Sequence, residues 1–194
     1  MKTTATRDRL LDTGAELIGN HGYNATGINA VLKASGVPKG SFYHYFASKE
    51  DFGLAVIDRV ALSYDEKLTH LLEDTRVAPL DRLRGYFAAG REDMLTCDHT
   101  HGCLIGNLGQ EMAGQSDVFR DRLDKVFQQW EQHFVRCLTD AQRQSHVDST
   151  LDIEALASFI LAGWEGAILR AKTLKSVEPM QRFENILFSR LLVP

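Results

Sequence analysis

Apolar residues recur along the chain at spacings of three, four and seven, the period of an amphipathic helix. Near the N-terminus Leu10, Leu11, Leu17 and Ile18 share one face, and charged residues occupy the other. Alternation of the strand type is scarce, and only four prolines interrupt the pattern. We therefore predict an all-α fold of about nine helices and no sheet.

Glycine, proline and capping residues indicate where the predicted helices begin and end. Gly22 is expected to close the first helix in a left-handed conformation, Thr26 to cap the second and Ser48 to cap the fourth. The predicted ranges are about 4–20, 27–34, 39–45, 49–74, 79–97 and 103–112, with three more helices beginning after Ser116, near Asp152 and at Pro179.

Residues 28–46 have the plan of a helix-turn-helix: a helix, a tight turn at Gly36 and a second short helix after Pro38. The second helix of such a motif lies in the major groove and presents its N-terminal residues to base edges. A glycine there lets the backbone approach the duplex, and lysine, hydroxyl and imidazole groups can donate hydrogen bonds. The predicted DNA contacts are Thr26, Asn29, Lys39, Gly40, Ser41, Tyr43, His44, Tyr45 and Lys49.

The aromatic run from residue 42 to residue 46 also has a purely structural interpretation, as core. Phe42 and Phe46 lie four residues apart on one face, so both are expected to pack inward. Burying Tyr43, His44 and Tyr45 as well would leave three polar groups in need of partners. We therefore predict two buried phenylalanines and an outward polar face.

The run Gly36-Val37-Pro38-Lys39-Gly40-Ser41-Phe42-Tyr43-His44-Tyr45-Phe46, followed by Ser48-Lys49-Glu50, resembles the signature of the TetR family of repressors. The resemblance is close over roughly the first 60 residues. It implies a homodimer on palindromic double-stranded operator DNA, an interface built from the last two helices, and a small-molecule effector that spreads the two DNA-binding heads. On this basis residues 1–48 are assigned to DNA binding and residues 49–194 to effector sensing and dimerisation.

Charge is distributed unevenly between these two parts. Residues 1–50 contain six basic and four acidic residues, whereas the remainder contains 16 basic and 22 acidic residues. A mildly positive N-terminal part on an acidic body indicates that only the first part faces phosphate. Three cysteines are too few for a disulfide framework, and no apolar run approaches the ~18 residues of a membrane helix. We expect a cytoplasmic protein without membrane contact.

Two C-terminal segments, residues 101–112 and 163–172, are similar to an acrylate-responsive member of the same family and, more loosely, to an electrophile- and bleach-sensing member. That resemblance implies a reactive cysteine at Cys103 and a lysine linked to the oxidative response at Lys172. The position of Cys103 after a glycine at a helix start favours thiolate over thiol. Further candidates for orienting a ligand are Asn107, Gln110 and Glu111. The predicted effector residues are Cys103, Asn107, Trp130, Trp164, Glu165, Arg170 and Lys172.

Three other interpretations of this region remain open. Cys103 can be a small buried hydrophobe, and both tryptophans lie on apolar stripes typical of core. The alternating set Cys97, His99, His101 and Cys103 offers zinc ligands for a metal-responsive repressor, although four ligands in one short loop rarely close a tetrahedron. A thiol-dependent enzyme would pair Cys103 with His99 or His101, but no motif supplies a group to orient the base. We predict no cofactor, no metal site and no enzymatic activity.

Overall fold

The computed structural model describes residues 2–193, which form nine α-helices and a closing π-helical turn, and within these residues no strand. The all-α prediction is confirmed. The helices are α1 (Lys2–His21), α2 (Ile28–Ser35), α3 (Lys39–Tyr45), α4 (Lys49–Leu72), α5 (Pro79–Thr96), α6 (Leu104–Met112), α7 (Asp117–Arg143), α8 (Ile153–Leu174) and α9 (Glu178–Ile186), with the π-helical turn over Leu187–Leu191.

The predicted helix ends agree with the observed ones to within two residues wherever both are defined. Gly22 has a φ of 83°, as its predicted role requires. The Ser48 hydroxyl accepts the N–H of Asp51 at 3.0 Å, and the Asp51 carboxylate accepts the N–H of Ala47 at 2.9 Å. This reciprocal arrangement satisfies donors that the helix itself cannot pair.

The capping role predicted for Thr26 is wrong. Gly27 occupies the N-cap position of α2 without any side-chain hydrogen bond. The Thr26 side chain is buried instead, and its hydroxyl donates to the carbonyl of Gly22 at 2.7 Å. Thr26 therefore fastens the loop between α1 and α2 onto the end of α1.

Contacts divide the chain into two compact units. The first comprises the residues up to Ser63 together with Leu104–Val126, and the second comprises Tyr64–Cys103 together with the residues from Phe127 onward. Packing units are not functional domains, so the division after residue 48 stays a prediction. No helix within residues 2–193 is long and apolar enough to cross a membrane.

The first unit is built around aromatic side chains and two helical glycines. Phe42, Phe46 and Phe52 form a mutually contacting group with ring centroids 5.1 to 5.3 Å apart. A Cβ at Gly14 would lie 2.3 Å from the Phe52 ring, and a Cβ at Gly53 would lie 2.5 Å from the Tyr23 ring. These glycines let α1 and α4 approach the aromatic core closely.

The second unit has its own aromatic core. Tyr86, Phe87 and Trp164 are almost fully buried, and the Phe87 and Trp164 rings lie 4.7 Å apart. A Cβ at Gly163 would lie 2.5 Å from the Phe183 ring, so α8 and α9 are in close contact here. Gly163 therefore packs within the chain, whereas a Cβ at Gly166 would meet open space.

Candidate DNA-binding and effector sites

The α3 helix is held by its two phenylalanines. Phe42 is 0% exposed and Phe46 is 2% exposed, and both rings contact Phe52 on α4. The prediction that these two rings pack inward is confirmed. Phe42 lies within this seven-residue helix and Phe46 is its C-cap residue, so the two rings anchor the inner face of α3 and its C-terminal end.

The turn before α3 is set by Gly36 and Pro38. Gly36 has a φ of 66°, a left-handed conformation that glycine adopts without steric cost, and its N–H donates to the carbonyl of Leu32. Pro38 is the N-cap residue of α3, with an extended conformation. The carbonyl of Pro38 accepts the N–H of Ser41 at 2.9 Å, which closes the first turn.

Most of the predicted DNA-contacting residues lie on the outward face. Asn29 on α2 is exposed, and Tyr43 on α3 keeps 54% of its surface accessible. A Cβ at Gly40 would meet no neighbouring atom, so the space beyond that backbone is open to a partner. The exposed members on α3 are Lys39, Gly40, Tyr43 and His44, and the half-buried ones are Ser41 and Tyr45.

Two predicted DNA contacts, Thr26 and Lys49, are engaged within the protein. The buried position of Thr26, described above, does not bring its side chain to the outward face. The Lys49 Nζ donates to the carbonyl of Asn24 at 3.3 Å and lies 4.5 Å from the centre of the Tyr23 ring. Burial lowers the pKa of the Lys49 ammonium, while the charge of Glu111 acts in the opposite direction.

Glu111, on the last turn of α6, binds the loop between α1 and α2. Its carboxylate oxygens accept the backbone N–H groups of Tyr23 and Asn24, each at 2.8 Å. A carboxylate that accepts two N–H groups makes charge-assisted hydrogen bonds, which are stronger than neutral ones. We call this arrangement the Glu111 clasp. The suggestion that Glu111 orients a ligand is not supported by this position.

In the second unit, the Cys103 thiol forms a side-chain hydrogen bond with the carboxyl group of Glu165 on α8. Both residues are partly buried. Burial raises the pKa of Glu165 to about 7, and the hydrogen bond with Cys103 offsets part of that rise. The structure thus brings together two of the predicted effector residues and makes one of them a group that titrates near neutral pH.

Two tyrosines complete this region, and the sequence pattern did not single them out. The hydroxyl oxygens of Tyr64 on α4 and Tyr86 on α5 lie 3.0 Å apart and share a hydrogen bond. Burial raises the pKa of both phenols, and the nearby Glu165 and Cys103 raise them further. We call Cys103, Glu165, Tyr64 and Tyr86 the thiol–carboxyl cluster.

The remaining predicted effector residues have varied surroundings. Trp130 is 2% exposed, and its ring lies 4.5 Å from the ring of Tyr64, one member of the thiol–carboxyl cluster. Trp164 is 1% exposed and belongs to the aromatic core. Arg170 on α8 is exposed, Lys172 is half-buried, and Asn107 is half-buried on α6 in the first unit.

The loop Cys97–Cys103 gives no support to a metal centre. Across residues 2–193 no group of three or more His, Cys, Asp or Glu side chains is arranged to hold a metal ion. The Cys97 thiol donates to the carbonyl of Met94 at 3.3 Å. Cys137 is buried, its thiol donates to the carbonyl of Pro79, and burial raises its pKa to about 12. Cys137 is therefore a core residue.

Comparison with known families assigns the N-terminal and C-terminal parts of the chain to the same family. Residues 10–56 match the model described as bacterial regulatory proteins of the tetR family, and residues 79–187 match the tetracyclin repressor-like C-terminal domain. The chain belongs to the TetR family. Proteins of this family bind operator DNA and small-molecule effectors, typically as dimers. The chain is accordingly a helix-turn-helix transcriptional regulator of the repressor type.

Individual TetR-family relatives match over nearly the whole chain. The repressor DhaR of Mycobacterium sp. (strain GP1) is 36% identical over 99% of this chain and 95% of its own length. The regulator AcuR of Cereibacter sphaeroides is 41% identical over 90% of this chain and 80% of its own. These relatives are transcriptional regulators, which agrees with the prediction of a non-enzyme.

Solved structures of the TetR family confirm the fold. A regulatory protein TetR from Rhodobacter sphaeroides superposes with a TM-score of 0.90 at 39% identity, covering 96% of this chain and 98% of that one. The reduced form of Escherichia coli NemR superposes with a TM-score of 0.83 at 32% identity, covering 92% of each chain.

Proposed function

We propose that this regulator represses transcription from a palindromic operator and is released by a small electrophile, unsaturated acid or oxidant sensed at Cys103. The observation that carries the proposal is the hydrogen bond between the Cys103 thiol and Glu165, beside two buried phenols. A thiol with a proton acceptor in contact is prepared for nucleophilic attack or oxidation. The thiol of Cys137, by contrast, is buried and donates to the backbone carbonyl of Pro79.

The DNA-binding face consists of the outward residues of α2 and α3. The side chains of Asn29, Lys39, Tyr43 and His44 are exposed and polar, and two buried phenylalanines hold the helix that carries most of them. Ser41 and Tyr45 border this face. Lys49 contributes by fixing the loop at Asn24, and Thr26 by fastening the same loop to α1.

The dimer is proposed to form through α8 and α9. On α8 the residues Phe159, Ala162, Gly166 and Leu169 are exposed and recur at spacings of three and four, so they form one continuous small and apolar face. On α9 Ile186 is 58% exposed. Apolar side chains concentrated on one surface mark an interaction site. We call this surface the α8–α9 seam.

Lys172 is proposed to take part in the response to oxidants. It follows Glu165 by seven residues, so the two side chains lie on the same face of α8, about 10 Å apart along the axis. A sulfenic acid formed at Cys103 by an oxidant can be captured by a nearby nitrogen or thiol nucleophile. The relative NemR is described in a reduced form, which fits a regulator with more than one redox state.

DNA binding is tested by fluorescence anisotropy with a duplex selected from a random library by the full-length protein. Lys39→Ala and Tyr43→Ala should each weaken binding about tenfold, and the lysine change should reduce the salt dependence by about one released counterion. Lys125→Ala, an exposed lysine on α7, is the matched control and should bind like the wild type. Unchanged affinity in both α3 variants would contradict the assigned DNA face.

Effector release is tested with the same complex. N-ethylmaleimide or hypochlorite should dissociate the wild-type complex, and Cys103→Ser should bind DNA normally but resist both reagents. Cys97→Ser serves as the control, because its thiol is bonded to the helix backbone at Met94. If Cys103→Ser is released as readily as the wild type, Cys103 does not sense the signal.

A further inference from the structure

The thiol–carboxyl cluster places a nucleophile, a proton acceptor and two hydrogen-bonding phenols in one location. The thiol comes from the residue before α6, the carboxyl group from α8, and the phenols from α4 and α5. The Cys103 thiol contacts Glu165 directly. The phenols of Tyr64 and Tyr86 lie close enough to Cys103 and Glu165 for the charges of these two groups to raise the pKa of each phenol. Four elements thus converge on a single reactive group.

Glu165 has the properties of a proton acceptor. Burial raises its pKa to about 7, and among the described residues no cation lowers that value. A general acid or base works best when its pKa is near the working pH, because it then exists in both protonation states. At neutral pH a substantial fraction of Glu165 is ionised and in hydrogen-bonding contact with the thiol.

We propose that Glu165 accepts the thiol proton as Cys103 adds to an uncharged α,β-unsaturated carbonyl compound, while the Tyr64–Tyr86 pair donates a hydrogen bond to the carbonyl oxygen. The inference rests on the proposed function, since it explains how the sensing thiol becomes reactive. It also narrows the effector class from electrophiles in general to conjugated aldehydes, ketones and amides.

The addition balances without any further reagent. The Cys103 sulfur forms a bond to the β-carbon as the carbon–carbon π bond breaks, and the electron pair moves onto the carbonyl oxygen as an enolate. Glu165 takes the thiol proton and returns it to the α-carbon, which leaves a saturated thioether. Nothing is oxidised or reduced by an external agent, and Glu165 ends in its starting protonation state.

The tyrosine pair suits the charge that develops on the carbonyl oxygen. One tyrosine hydroxyl donates its hydrogen to the other, and the hydrogen of the second hydroxyl is not used in the bond between the two tyrosines. A donor aimed at a developing oxyanion in a site of low dielectric constant stabilises it more than water would. Burial keeps both phenols protonated at neutral pH, because it raises their pKa.

The surroundings favour a neutral effector over an anionic one. Trp130 lies with its ring 4.5 Å from the Tyr64 ring and offers an apolar wall. An effector carboxylate would meet the partly ionised Glu165, and no cation among residues 2–193 holds the pKa of that group down. Two like charges at close range in a buried site repel strongly.

The test follows adduct formation at Cys103 by peptide mass spectrometry, on the full-length protein treated with methyl vinyl ketone between pH 6 and pH 9. The plot of the wild-type rate against pH should change slope, or bend, near pH 7, where Glu165 titrates. Glu165→Gln should react about 100-fold more slowly at neutral pH and lose that bend. Glu154→Gln, an exposed glutamate on the same helix, is the matched control and should behave as the wild type.

Two further measurements separate chemistry from packing. Tyr64→Phe should slow addition of methyl vinyl ketone about tenfold but leave the reaction with methyl methanethiosulfonate, which forms no enolate, unchanged. Glu165→Asp should restore part of the rate and move the bend in the pH profile, which serves as the second readout if the glutamine variant folds poorly. The ratio of the acrylate rate to the methyl vinyl ketone rate should be lower at Cys103 than the same ratio measured for free glutathione.

The outcomes distinguish this inference from the proposed function. An unchanged rate and pH profile in both Glu165 variants overturns the role of Glu165, even if the adduct still releases DNA. Preferential modification by acrylate overturns the assignment to uncharged effectors. An adduct that forms with the expected dependence on Glu165 but leaves DNA bound supports the chemistry and contradicts the proposed function.

Discussion

Glu165 is a single residue whose ionisation has consequences for both reactivity and stability. Its carboxyl group is partly buried beside the Cys103 thiol, and the phenols of Tyr64 and Tyr86 face it from α4 and α5. The folded protein therefore holds the neutral form of Glu165 more easily than the charged form, which is the reverse of an exposed glutamate.

The raised pKa predicts a specific dependence of stability on pH. The ordinary value is 4.5 and the folded value is about 7, so the folded state binds the proton more tightly than the unfolded state does. The stabilising contribution is complete below pH 4.5 and is lost as the pH rises through 7. Between pH 5 and pH 8 the wild type should lose on the order of 2–3 kcal/mol relative to Glu165→Gln, at about 1.36 kcal/mol per pKa unit.

The measurement is urea denaturation of wild type and Glu165→Gln at a fixed protein concentration across that pH range. Subtracting one curve from the other removes contributions from every other titrating group. Glu154→Gln provides the baseline, because an exposed carboxyl group on the same helix should show no such trend. A difference that stays flat between pH 5 and pH 8 would show that the folded protein does not raise the pKa of Glu165.

At the scale of elements, the helix pattern was predictable because its causes are local. Gly36 and Pro38 determine where α3 begins, Phe42 determines its buried face, and the buried Phe46 follows directly after its last residue. The error at Thr26 arose because Gly27 takes the cap position. Once the cap moves by one residue, the threonine hydroxyl is free to donate to Gly22, and its side chain turns inward.

Contacts between distant parts of the chain were not predictable in the same way. Nothing near Glu111 in the sequence indicates that it binds the backbone of Tyr23 and Asn24. The pairing of Tyr64 with Tyr86 is also invisible, because both residues fit apolar stripes of their own helices. Cys103 and Glu165 were singled out by resemblance, but their hydrogen bond depends on how separate helices pack.

The Glu111 clasp leads to a prediction for α6 and the DNA-binding helices. Glu111→Gln removes the charge from two hydrogen bonds and turns one of the two acceptors into a donor that cannot pair with an N–H group. The expected cost is about 1–3 kcal/mol in the free energy of unfolding. Hydrogen exchange at the amides of Tyr23 and Asn24 should accelerate, because one amide loses its acceptor and the other keeps only a neutral, weaker acceptor.

Hydrogen exchange with peptide or residue resolution provides the check, alongside urea denaturation. Glu92→Gln, an exposed glutamate on α5, is the control and should leave both measurements unchanged. Operator affinity should fall in Glu111→Gln, since the loop that precedes α2 is less well fixed. Unaltered exchange at Tyr23 and Asn24 would show that the clasp does not restrain this loop.

At the scale of the whole molecule, the α8–α9 seam is the feature that one chain alone does not explain. Large apolar side chains such as Phe159, at 54% exposure, and Ile186, at 58% exposure, lie on neighbouring helices and face solvent. Gly166 lies on the same face of α8 as Phe159, and a Cβ there would meet nothing. Gly163, by contrast, is already in contact with Phe183 and contributes to the monomer.

Placing a charge in the seam should therefore separate the dimer without unfolding the subunit. Leu169 is 40% exposed in the single chain, so an arginine there is tolerated by a monomer but would be buried without a partner in a dimer. Leu169→Arg should sediment as a monomer of 21.7 kDa and keep its helical circular dichroism. Val118→Arg, at an apolar position on α7 that is 52% exposed, is the control and should remain a dimer. Because a palindromic operator needs two linked DNA-binding heads, the monomer should also lose most of its operator affinity. A monomer that binds the operator as tightly as the wild type would contradict the two-headed arrangement.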